Sequence, residues 1–415
     1  MWVIWAGQIS YIILRLLGIR ILTELLTPND WGLLALALAT ILFFRNVFCS
    51  PWFESSVRFY FTLDKIGQSN DLINFINKKL IRFTILSIPL LIAVSYMIFV
   101  SKNGQVLYFI PLVLGLFVVE TNKQYQLGLL NAKQKHRSYA RWLVLDEFLR
   151  VLIAIALLYT FEFSAFYALL GYFFGSVISS VYLLPYWQTL NIVIGNKHNP
   201  IESSKVYSYA KPLAFLAVLC WITNLGDRFI MAEYVSLEEV GLYAAAYGLG
   251  SQGFIMFNTV IQLYLRPKLM AAAGQLGDSS WMTYLAFWFA LSLVFGVFGL
   301  TIIFHYSDTI IGLLLGSNFN GIGQMLLFIC VAFAIQGLKQ VLEQVIYLAH
   351  LTIYLVYTEI FTTLVACFSY MYFIPIYGGL GAAFATAFTM SVSLLWLMVL
   401  IFMRRNILLS AIDRS

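Results

Sequence analysis

Apolar residues run along this chain in blocks separated by short polar breaks, on the scale of the roughly 20 residues a helix needs to cross a bilayer. The blocks predict membrane spans near 2–25, 31–50, 80–100, 106–130, 140–160 and 165–187. A second set follows near 209–232, 240–264, 281–305, 324–349, 354–374 and 380–403. The pattern therefore predicts an all-α polytopic membrane protein of about twelve transmembrane helices. The stretch GLLLGSNFNGIGQ, Gly312 to Gln324, reads either as a loop or as a short surface or re-entrant helix. At the start, MWVIWAGQISYIILRLLGIR has no basic n-region and no small-residue cleavage site, so it reads as a retained span rather than a cleaved signal.

Composition agrees with this pattern: 61% of the 415 residues are hydrophobic and 11% charged, against about 45–50% and about 25% in soluble domains. The charges that remain are placed unevenly. With twelve spans, one set of loops holds Arg58, Lys65, Lys78, Lys79, Arg82, Lys133, Lys135, Arg137, Arg141, Lys197, Lys205, Lys211, Arg266, Lys268, Arg404, Arg405 and Arg414. The opposite loops hold Lys102 alone. Basic residues accumulate on the cytoplasmic side, so both termini are expected there. This placement accounts for the net charge of +6, with attraction to anionic membrane lipids secondary; no nucleic-acid partner is expected. Cys49, Cys220, Cys330 and Cys367 all fall in apolar segments without metal-ligand spacing, so free thiols and no metal site are expected.

The chain also repeats itself. Leu17, Gly18 and Arg20 correspond to Leu225, Gly226 and Arg228, and after one inserted residue Glu24, Thr27, Asp30, Gly32, Leu33 and Ala35 correspond to Glu233, Ser236, Glu239, Gly241, Leu242 and Ala244. Charged and glycine positions in register are harder to produce by chance than matches of Leu and Ala. Each copy joins the first helix of a six-helix half to the second through a short acidic outer turn. Six spans lie between the copies, so the repeat is parallel, about an axis along the membrane normal, as in transporters that rock two bundles around a central site. Residues 1–190 are expected to form one six-helix bundle, 191–208 a polar cytoplasmic linker, and 209–415 the second bundle.

The segment TNLGDRFIMAEYVSLEEVGLYAAAYGL, Thr223 to Leu249, resembles the polysaccharide-export branch of the multidrug, oligosaccharidyl-lipid and polysaccharide exporter superfamily. There a seventh helix ends on an Asp-Arg pair, followed by an acidic turn and a Gly-Leu-Tyr entry to helix eight. RILTELLTPNDWGLLALA and PIYGGLGAAFATAF, Pro375 to Phe388, resemble the opening and the last-helix entry of the same family. The resemblance implies two bundles forming a V around a central cavity, in the inner membrane of a bacterium. It implies a flippase that moves an O-antigen or capsule repeat unit on undecaprenyl pyrophosphate to the periplasmic leaflet. An O-antigen polymerase and a chain-length regulator would be partners in that pathway.

Ionised groups deep in hydrocarbon cost from roughly 2.5 to above 10 kcal/mol, so each needs a partner or a wet cavity. Glu54 with Arg58, Glu120 with Lys123, Asp146 with Arg150, and Lys339 with Glu343 lie three or four residues apart and read as structural pairs. Arg20 is four residues from Glu24, and Asp227 adjoins Arg228. Arg15 and Arg45 have no such local partner; Arg45, nearer the cytoplasmic end, can alternatively snorkel. Guanidinium meets phosphate in bidentate geometry without deprotonating, so Arg15 and Arg45, with Arg20 and Arg228, are the candidates for a pyrophosphate. Tyr243, Tyr247, Ser251, Asn258 and Gln262 form a polar and aromatic stripe suited to sugar rings, or alternatively to helix packing and interfacial anchoring. No Walker A pattern occurs and no cofactor is expected. Coupling to an ion gradient would fall to Asp227, Glu147 or Glu359. Three other readings compete: a multidrug-type exporter of the same fold, which would want an acidic cavity; an O-antigen polymerase, which needs a large outer loop; and a lipid II flippase, usually with two further helices.

Overall fold

The computed structural model describes residues 2–103, 106–182, 203–273 and 280–412, and every regular element among them is helical. The first half contains α1 (Trp2–Leu25), α2 (Pro28–Phe44), α3 (Ser50–Asp64), α4 (Ser69–Asn103), α5 (Phe109–Ala132), α6 (His136–Thr160) and α7 (Ala165–Val181). The second contains α8 (Ser203–Tyr234), α9 (Leu237–Ala273), α10 (Ser280–Leu314), α11 (Gly323–Leu348) and α12 (Ile353–Ile412). Each of the twelve predicted spans falls on helix, the last two both on α12. Residues 183–187 of the sixth span and 191–202 of the expected linker lie outside the described residues, as do Lys197, Arg414 and the side chain of Lys102.

Among the described residues six helical stretches are long and apolar enough to cross a membrane, including the joined run Pro28–Asp64. Helices α5 and α6, which carry charged residues at mid-length, are not among them. The expected alternative at 312–324 resolves into the end of α10, which kinks at Tyr306, and a single 3₁₀ turn at Ser317–Phe319 before α11.

The chain gathers into two compact units, one of Met1–Leu26 with Leu33–Trp221, the other of Thr27–Gly32 with Ile222–Ser415. In the first, α6 packs closely on α7. Gly171 and Gly175 lie so near the α6 backbone at Ala154 and Arg150 that an added Cβ would clash. With Ser179 they form a row of small residues at four-residue spacing, the kind that lets membrane helices approach. That row seats Ser176 and Ser179 against the polar side chains of α5 and α6. A second departure from regularity joins α2 to α3. Pro51 has no N–H and its ring crowds the carbonyl four residues back, so the ladder opens into a π turn over Arg45–Cys49, closed by the Ser50 N–H donating to the Arg45 carbonyl.

In the second unit, the repeat mates Gly32 and Gly241 face one another. A Cβ on Gly32 would strike the Leu237 carbonyl and the Gly241 nitrogen; a Cβ on Gly241 would strike the Pro28 carbonyl and the Gly32 nitrogen. Leu237 and Pro28 also occupy equivalent repeat positions, so the two turns cross with two-fold regularity at backbone contact. Nearby, α12 is two helices bent at Gly378, whose φ of 57° and ψ of −134° suit glycine. Glu239 closes the bend by accepting the Gly379 N–H at 2.6 Å, satisfying a donor at the start of a helix where the dipole also favours an anion.

Candidate functional site

The first unit holds a cluster of charges at the middle of its helices. Glu120 lies eleven residues after the start of α5 and twelve before its end, roughly 16–18 Å from each at 1.5 Å per residue. Lys123 Nζ bonds Glu120, donates to Asp146 Oδ2 at 2.8 Å and reaches Ser176 Oγ at 3.5 Å. Arg150 approaches Glu120 at 2.9 Å and Asp146 at 3.9 Å. Ser179 donates to Asp146 at 2.5 Å, and the Trp142 indole N–H donates to the Ser179 carbonyl at 2.9 Å. Glu120, Lys123 and Asp146 are buried, Lys123 to 2% exposure.

Arg45 has no acidic partner on its own helix; it donates to Asn46 Oδ1 at 3.4 Å, and the fold brings it to Glu120 at 3.6 Å. Arg45 is the first residue of the π turn. The cluster thus sets three cations, Arg45, Lys123 and Arg150, against two carboxylates, Glu120 and Asp146. Arg15 on α1 is half-buried, with the Tyr11 hydroxyl at 3.4 Å. Glu147 lies within electrostatic reach of both Arg15 and Arg150. Adding Arg15 and Glu147 keeps the surplus at one positive charge. The expected pairs of Glu120 with Lys123 and of Asp146 with Arg150 are present and interlocked. Glu54 and Arg58 do not pair; both are exposed, and Arg58 lies over the Tyr209 ring at 4.8 Å.

The second unit carries two further polar groups. Asp227 is fully buried and receives the Tyr243 hydroxyl, while Arg228 lies 3.7 Å from it. Thr386 is 3.2 Å from the same Tyr243 hydroxyl. The Arg228 guanidinium stands 4.6 Å from the Tyr247 ring centre and 5.8 Å from that of Tyr243. Tyr243 and Ser251 are buried, the former with its hydroxyl held by Asp227. Arg20 pairs with Glu24 near the C-terminal end of α1. Toward the C-terminal end of α11, Lys339 lies between Glu343 at 3.8 Å and Glu359 at 3.6 Å.

A cavity of about 210 Å3 opens between α8, α9 and α11. Tyr247, Asn258 and Gln262 of the predicted stripe line it, together with Asn224, Phe333, Gln336 and Gln340. The α11 residues were not picked out from sequence, although Gln336, Gln340 and Gln344 repeat at four-residue spacing. Nor was the likeness of Lys123 and Lys339. Each stands nine residues before the end of its helix and joins an acid on its own helix to one on the next.

Long apolar helices, repeated along the described residues, make this a multi-pass membrane protein. By its sequence it belongs to the polysaccharide biosynthesis protein family, whose model matches residues 1–270. No curated protein matches the chain by sequence. Its fold is similar to that of a lipid II flippase, MurJ, in an inward closed conformation, with a TM-score of 0.68, 14% identity, and coverage of 100% of this chain and 90% of that one. An inward-facing multidrug resistance MATE transporter of the MOP superfamily matches with a TM-score of 0.61 and 13% identity over 98% of this chain and 96% of that one. The Vibrio cholerae MATE transporter VcmN matches with a TM-score of 0.58 and 11% identity over the same shares. These likenesses are of fold, and the fold is that of flippases and exporters.

Proposed function

We propose that the protein is a flippase that carries an undecaprenyl-pyrophosphate-linked oligosaccharide repeat unit, of the O-antigen or capsule type, to the periplasmic leaflet of a bacterial inner membrane. The observation that carries the reading is the surplus of cations held at mid-membrane around Arg45, Lys123 and Arg150, with Arg15 half-buried beside them. A site with spare guanidinium charge suits a pyrophosphate and opposes a cationic drug. Family membership supports a glycan pathway.

In this reading Arg15 and Arg45 hold the pyrophosphate, and Arg20 and Arg228, nearer the outer ends, receive it as access alternates between the bundles 1–190 and 209–415. Tyr247, Asn258 and Gln262 face the glycan, with Tyr243 and Ser251 behind them on the same stripe. Asp227, Glu147 and Glu359 are the carboxylates available to exchange a proton or sodium ion. Both termini lie in the cytoplasm, and an O-antigen polymerase and chain-length regulator act downstream.

The test is flipping of a fluorescent lipid-linked oligosaccharide in proteoliposomes. Arg15→Ala should reduce flipping to background at a normal protein level, while Arg15→Lys, which keeps charge but not the bidentate fork, restores part of it. Full activity of the alanine variant refutes the role. Collapse of the ion gradient should stop transport, and unchanged transport excludes coupling.

A further inference from the structure

We infer that the cavity between α8, α9 and α11 binds one uncharged sugar of the cargo, an inference that rests on the flippase reading above. Four carboxamides, Asn258, Gln262, Gln336 and Gln340, converge on it from α9 and α11. Asn258 packs directly on Gly337 of α11, so the two helices meet beside the cavity wall. Among the described residues none of these four side chains makes a hydrogen bond within the chain. Carboxamides placed merely to join helices would pair across the interface. Instead each keeps two donors and an acceptor for a guest, the pattern that hydroxyl and acetamido groups require.

The aromatic wall is fixed. Tyr247 meets Phe333 edge to face at 5.3 Å, and Arg228 stands over Tyr247. Among the described residues no ionised side chain lines the cavity itself, so its direct polar contacts are carboxamides, a hydroxyl and a phenol, suited to an uncharged ring. The cavity of about 210 Å3 has room for a sugar ring. Gln336 sits at the middle of α11, thirteen residues from its start and twelve from its end, so the ring is held at the depth of the bilayer core.

The experiment measures binding to full-length protein in nanodiscs of two probes, undecaprenyl pyrophosphate and undecaprenyl-pyrophosphoryl-N-acetylglucosamine. The sugar should tighten binding by about tenfold, and Asn258→Ala with Gln336→Ala should remove that gain while undecaprenyl pyrophosphate binds as before. Gln340→Ala, away from the contact at Gly337, carries the test if the double variant loses its melting transition; about half of the gain, on a logarithmic scale, should then disappear. Equal binding of the two probes to the unaltered protein refutes the sugar site alone. So does a gain that survives the substitutions, or a variant that weakens both probes equally. Failure of the unaltered protein to bind either probe refutes the flippase reading and the sugar site with it.

Discussion

Lys123 offers a direct test of how the mid-membrane cluster is held. Substitution to Met keeps length and apolar stem but removes one cation from among Glu120, Asp146 and Ser176. Glu120 would retain Arg150 at 2.9 Å and Arg45 at 3.6 Å. Asp146 would retain only Arg150 at 3.9 Å and the Ser179 hydroxyl. Removing one partner from a buried ion pair costs about 3–5 kcal/mol, because the remaining charge stays out of water. For a unit of this size that corresponds to a fall in melting temperature on the order of 10 °C, readable by fluorescence melting of purified protein in detergent. The double variant Lys123→Met with Asp146→Leu removes one charge of each sign, leaves Arg45, Glu120 and Arg150 with the original surplus, and should regain most of the lost stability. The reasoning fails if Lys123→Met melts with the unaltered protein, or if the double variant melts below the single one.

Three further outcomes follow from the same structure. Gly241→Val puts a branched side chain where the Pro28 carbonyl and Gly32 nitrogen already stand, so folded protein recovered from membranes should fall sharply, and Gly32→Val should behave alike; normal yields would show that the turns do not need this contact. Glu239→Ala removes the acceptor of the Gly379 N–H and should cost about 1 kcal/mol of stability, the usual loss of a helix cap, whereas Glu239→Gln should retain part of it in the same melting assay. Cysteines placed at Asn29 and Lys135 should label from opposite sides of the membrane in intact cells, and labelling from one side would overturn the topology.

Apolar block length was enough to place the membrane helices, because a helix in lipid must satisfy its backbone within itself and fill a fixed thickness. The break at Gly378 also lay close to the surface of the sequence, between two predicted spans and within a glycine-rich entry. Charge spacing was informative where partners share a helix: Lys123 with Glu120, Arg20 with Glu24 and Lys339 with Glu343 all form within one turn. Arg58 shows the limit of the same rule, for it lies over Tyr209, a residue 151 positions away.

Partners across helices depend on which faces meet, and that depends on details no periodicity records. The small-residue row on α7 draws α6 in until Asp146 meets Ser179, and Arg45, at the start of the π turn, meets Glu120 of α5. Tyr243 and Tyr247 look equivalent as neighbours on one stripe, yet packing gives the first to Asp227 and the second to a cavity completed by α11. The sequence by itself determined the class of fold, the number of helices and the residue types available for an anion and a sugar, since these follow from hydropathy and local spacing. Only the tertiary structure decided which charges neutralise one another and which polar groups stay open to a ligand, because those choices are made by side chains brought together from helices far apart in the chain.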